Sequence, residues 1–136
     1  MAARSAAAAT IVFVTVASER QAESIARAVV GERLAACVNV VGPIRSIYRW
    51  QDAIEDEREF LLLVKTRASL FRRLERRVRE LHPYEVPEIV AARLDAGSAP
   101  YLAWLFESTA PEAAARRANK RWSSDKDRNL GRRRNR

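Results

Sequence analysis

Residues 33–50 read RLAACVNVVGPIRSIYRW, and after Gln51-Asp52-Ala53 the chain returns as IEDEREFLLLVKT, residues 54–66. Both halves have the β-branched and aromatic content of strands. Together they form a hairpin that is too long for a domain of this size. About fifteen residues at roughly 3.3 Å each extend about 50 Å. A compact hundred-residue domain has a radius of gyration of about 13 Å, so the arm must overhang its own core. Long apolar edges pair readily with other chains, and an obligate oligomer is expected. Gly42-Pro43 is unwelcome inside a central strand and marks a bulge or bend in the outgoing arm.

Working outward, residues 10–16 (TIVFVTV) are a continuous β-branched run, a buried strand. Ser18 stands as N-cap of a helix, with Gln21 three places on completing a capping box. Ala22, Ile25, Ala26, Val29 and Val30 then recur at helical spacing, and Gly31 weakens the last turn. Residues 68–81 make a second amphipathic helix, with Leu70, Leu74, Val78 and Leu81 inward and Arg72, Arg73, Arg76 and Arg79 outward; Pro83 stops it. A fourth strand is expected over residues 86–94 and a short helix over 100–106, with Pro100 near its first turn. The order βαββαβ plus a C-terminal helix is the ferredoxin-like split βαβ arrangement, an α+β fold.

The chain has 136 residues, 48% of them hydrophobic, which is room for one domain with a core. No apolar run reaches the length of a membrane span, and the alanine run in MAARSAAAAT is too short for a signal peptide. Cys37 is the single cysteine, so no disulfide forms within the chain and a reducing, cytoplasmic compartment is expected. The net charge of +8 is unevenly placed. Residues 116–136 hold ten Lys or Arg against two Asp, while residues 1–115 hold fifteen of each sign. The basic stretch has the polar, charged composition of disordered chain. Residues 1–9 are expected to be a flexible start, 10–108 the folded domain, and 109–136 a basic disordered segment. Aromatics on the inner strands are limited to Phe13 and Phe60, so no specific nucleic-acid binding is expected from this topology.

The motifs LAACVN, SIYRW, LLLVKT, HPYEVPEI and PYLAWL follow one another in the order and at the separations of the CutA family, which the chain resembles from about residue 10 to 106. The resemblance implies a ferredoxin-like subunit in a tight homotrimer, associated with divalent-cation tolerance and copper binding in particular. The family's trimer also resembles that of PII-type signal transducers. Some bacterial members carry an extra cysteine in the first strand and a second histidine; here Thr15 and Leu81 stand at those positions.

Copper takes thiolate and imidazole ligands, and the chain offers one of each, Cys37 and His82. They are the candidate metal ligands. The alternatives are a small buried hydrophobe for Cys37 and a helix-end cap for His82. A second constellation, Tyr48, Trp50, Glu59, Lys65, Tyr84 and Glu88, is expected in an inter-subunit cleft where one arm meets a neighbour's HPYEVPE loop. Such a cleft suits a small polar ligand or a hydrated cation; the alternative is interface packing of the aromatics. Glu55, Glu57 and Glu59 share one side of their strand and in principle suit a hard cation, with a solvated outer face as the preferred reading. There is no Gly-rich phosphate loop, no serine-nucleophile motif and a single histidine, so a binding protein rather than an enzyme is expected. Its expected partners are further copies of itself and divalent cations.

Overall fold

The computed structural model describes residues 5–111. Residues 1–4 and 112–136, including the stretch expected to be disordered, lie outside the described residues. A 3-10 turn at Ala6–Ala8 leads into β1 (Ala9–Val16), α1 (Glu19–Gly31), β2 (Cys37–Trp50), β3 (Ala53–Arg67), a second 3-10 turn at Ala68–Leu70, α2 (Phe71–Leu81), β4 (Ile89–Arg93) and α3 (Ala99–Ser108). The four strands form one sheet in the order β2-β3-β1-β4, antiparallel at every pairing. This is the expected ferredoxin-like topology.

Strand alternation and helical periodicity build the core from two sides. Val12, Val14 and Val16 of β1 and Leu62 and Val64 of β3 face Ile25 and Val29 of α1 and Leu74 and Val78 of α2, all of them buried. Ser18 caps α1, its hydroxyl accepting the Gln21 N–H at 3.2 Å, but the expected capping box is only half formed, because the buried Gln21 Oε1 has no hydrogen-bond partner among the described residues. Leu70 and Leu81, expected inward, are half-buried. A second cluster joins Leu102, Leu105 and Phe106 of α3 to Ala9 and Ala36. Arg67 holds α3 there, donating to the Phe106 carbonyl and, at 2.8 Å, to the Thr109 hydroxyl.

Several element boundaries differ from the expectation by one to three residues; residues 68–70, expected in the second helix, form the 3-10 turn before α2. β1 begins at Ala9, which is fully buried and would not tolerate an unpaired start. β4 begins at Ile89, opposite Val14, rather than at residue 86. Pro87 has no N–H to give a ladder, and the chain before Ile89 runs as an irregular loop. α3 extends past Phe106 to Ser108.

The hairpin overhangs the sheet. β1 pairs with β3 only as far as Val16 opposite Phe60, whereas β2 continues with β3 out to Trp50 opposite Ala53. Residues 53–59 and 44–50 therefore have no neighbour beyond each other within the sheet. The register shifts between Val41 and Ile44, at the cis Gly42–Pro43 peptide. Gly42 lies so close to the Phe60 ring that a β-carbon there would run into it.

Candidate functional site

α2 stops because Pro83 forces its predecessor into an extended conformation. His82 accordingly has φ −83° and ψ 132°. Its ring turns under the end of the sheet, where it is 6% exposed. Nε2 lies 2.7 Å from the Thr15 carbonyl oxygen, and Nδ1 accepts the Tyr84 N–H at 3.1 Å. A carbonyl can only accept, so Nε2 carries the proton and Nδ1 is the acceptor. Both ring nitrogens are thus used within the chain, leaving neither lone pair for a metal.

The expected pairing of Cys37 with His82 is not formed in the chain. Cys37 lies opposite Lys65, which lies opposite Ile11, whereas His82 meets β1 at Thr15. Four residues along a strand separate those levels by about 13 Å. Two strand spacings of about 4.8 Å separate β2 from β1. Cys37 is half-buried, and the only polar contact of its Sγ among the described residues is Asn39 Oδ1 at 3.9 Å.

The second constellation does assemble, with one exception and one change. Tyr48, Trp50, Glu59, Tyr84 and Glu88 line a single cleft of about 810 Å³. Lys65 does not join them; it sits beside Cys37 at the other end of β3, its Nζ 6.0 Å from the centre of the Tyr101 ring. Two walls of this cleft come from within one chain. The overhanging hairpin supplies one wall and the chain's own loop 82–88 the other.

Glu55 and Glu57 also line this cleft, so the row expected to be a solvated face points into it. With Glu85 the carboxylates number five, against one guanidinium, Arg45. Arg45 is held outward by Asp56 at 2.8 and 2.6 Å. The Tyr48 hydroxyl donates to Glu57 Oε2 at 2.8 Å, and that bond, followed by burial and the nearby carboxylate charges, pushes its phenol up to about 12. Burial, then the charges of Glu59 and Glu57, also raise Tyr84 above the ordinary tyrosine value. The carboxylate charges add to both shifts, behind the Glu57 hydrogen bond for Tyr48 and behind burial for Tyr84.

Glu59 is the deepest of these groups, 6% exposed. Its Oε2 receives the Tyr84 hydroxyl at 3.4 Å, longer than a normal O–H···O bond. Among the described residues, Oε1 meets no donor and no cation pairs with the carboxylate. Among the described residues, no three His, Cys, Asp or Glu side chains converge tightly enough to hold a bare metal ion. Carboxylates on alternate strand residues start about 6.6 Å apart, a spacing that fits a cation retaining its water shell.

Sequence reasoning missed Glu55, Glu57 and Glu85 as cleft residues and Thr15 as the partner of His82. The alternation of β3 carried the signal for the first two, since residues 55, 57 and 59 share a side with Leu61 and Leu63. No sequence signal pointed to Thr15, whose contribution is a backbone carbonyl.

Comparison with known proteins agrees with this architecture. Residues 10–108 match the family model described as CutA1 divalent ion tolerance protein. The chain is 54% identical over 99 residues to the divalent-cation tolerance protein CutA of Thermus thermophilus, covering 73% of this chain and 96% of that one. It is 48% identical over 97 residues to the human protein CutA, covering 71% of this chain but 54% of the human protein. The solved structure of the Thermus thermophilus divalent cation tolerance protein superposes with a TM-score of 0.73 at 52% identity, covering 75% of this chain and 99% of that one. The chain belongs to the CutA1 divalent ion tolerance family.

Proposed function

We propose that this chain is a non-catalytic divalent-cation binding protein, and that it holds a hydrated cation in the cleft between the hairpin and loop 82–88. The observation that carries the reading is Glu59. Glu59 has one long hydrogen bond, from Tyr84, and no cationic partner among the described residues; a largely buried carboxylate so weakly paired at the floor of an acidic cleft favours a cation there. Membership of a divalent ion tolerance family supports the class of ligand. Copper was expected on Cys37 and His82. With His82 committed to Thr15 and Tyr84, the reading moves to the carboxylates, whose oxygens favour hard cations. Calorimetric titration of the full chain with Mg²⁺, Mn²⁺ and Cu²⁺ tests it. Saturable binding near one ion per chain supports the reading, and no saturable heat with any of the three rejects it.

The same reading includes a homotrimer, working in the cytoplasm. Its support is unpaired surface: β2 and β4 are the two edges of the sheet, and among the described residues no strand pairs with the outer edge of β2. On the face away from α1 and α2, Val41 and Val90 are 42% and 54% exposed beside half-buried Ile11, Phe13, Leu61 and Leu63. An apolar face next to open edges is normally covered by another chain. Light scattering at three times the 15.4 kDa chain mass is expected; a monomer would remove this part of the proposal.

A further inference from the structure

The acidic cleft has a second cationic candidate in the chain itself. Residues 116–136 carry all of the protein's excess charge, and eight of their ten basic residues are arginine. Arginine is the side chain that matches this cleft. Its guanidinium bonds carboxylates with two parallel N–H groups and stacks on aromatic faces. The cleft presents Glu55, Glu57, Glu85 and Glu88 beside Tyr48 and Trp50. Trp50 is 45% exposed, so its ring is open to such stacking.

Reach permits the contact. Pro111, the last described residue, lines a cavity with Arg67, at the end of β3 that pairs with Ala9. Glu57 lies ten residues along the same strand, about 33 Å away. Ten extended residues cover that distance, so positions from about 122 onward can lie in the cleft. Tethering keeps the segment at millimolar effective concentration, enough to fill the site with individually weak charge pairs.

We propose that this chain's arginine-rich segment, residues 116–136, docks in the carboxylate- and tyrosine-lined cleft and competes there with the divalent cation. The competition rests on the cation reading above; the docking does not.

Lysine supply makes the docking directly testable, because Lys120 and Lys126 are two of the three lysines in the chain. The full chain is treated with a carbodiimide that joins amines to carboxylates in contact, and the products are mapped by mass spectrometry. Docking predicts links from Lys126 to Glu55, Glu57, Glu85 or Glu88, lost at about 1 M salt, where the Debye length falls to about 3 Å. No links, or links spread over the helix carboxylates Glu19, Glu23 and Glu75, would overturn it. Competition is tested by titrating cation into full-length Arg132→Gln/Arg133→Gln/Arg134→Gln. Tighter binding than in the parent chain supports it, and unchanged affinity overturns it. If cleft links form but neither chain binds cation, the docking stands and the cation reading fails.

Discussion

The Nε2 atom of His82 lies 2.7 Å from the carbonyl oxygen of Thr15, 67 residues earlier, and ties the end of α2 to β1. The same ring accepts the Tyr84 N–H, so it also fixes the loop that walls the cleft. His82→Ala leaves a part-buried carbonyl and a part-buried N–H without partners, at up to about 1–3 kcal/mol for each unsatisfied group. Denaturant unfolding at fixed protein concentration is therefore expected to show a loss of about 2–3 kcal/mol. Cation binding by the folded variant should persist. Unchanged stability with lost binding would make His82 a ligand after all.

Gly42 and Phe60 share one space at the bulge. Gly42→Ala should destabilise by about 1–3 kcal/mol through overpacking. Phe60→Leu, combined with it, should recover part of that loss. A double-mutant cycle reads the coupling directly, and additive effects would show that the two positions do not compete for room.

At the hairpin tip, Gln51 and Asp52 have φ of 47° and 64°. Two consecutive left-handed residues make a turn of the kind that Asn-Gly fills with least strain. Gln51→Asn/Asp52→Gly is expected to raise stability by about 1 kcal/mol, seen as a higher midpoint in thermal unfolding. A lower midpoint would mean that the native pair makes contacts at the tip that outweigh the backbone strain.

Tyr48 gives an alkaline signature. Its proton is held more tightly in the folded chain than in the unfolded one, with the phenol pushed up to about 12 mainly by its bond to Glu57. Its contribution to stability is complete below the ordinary tyrosine value of 10.0 and is lost as pH rises toward 12. Phenolate absorbance should show Tyr48 as the latest-titrating tyrosine, behind a raised Tyr84, with that last component missing in Tyr48→Phe and returned toward 10 in Glu57→Gln. A normal midpoint in the unmodified chain would show that the Tyr48–Glu57 bond does not persist in solution.

Local chemistry made much of the fold readable. The Ser18 cap, the period-two strands, the Gly42-Pro43 interruption and the Pro83 stop are each set by a few neighbouring residues, and each stands where the sequence places it. Site membership depends on longer-range relationships. Lys65 and Glu59 sit on the same strand, six residues apart, so sequence could pool them in one cleft; the distance of about 20 Å along β3 separates them. His82 resembled a ligand because the Thr15 carbonyl that occupies its ring leaves no trace in side-chain identities. Glu55, Glu57 and Glu59 were on one side by alternation, but only the path of loop 82–88 decides that this side is a cleft wall rather than open solvent.

Glu59 is where the account can be tested most directly, because a buried, under-bonded carboxylate kept for a cation should cost the empty protein stability. Chelator-treated Glu59→Gln, which keeps an acceptor for the Tyr84 hydroxyl without the charge, is compared with the parent chain by denaturant unfolding and by calorimetric cation titration. The variant is expected to gain about 1–3 kcal/mol and to give no saturable cation heat. A variant that is less stable than the parent and binds cation unchanged would contradict it.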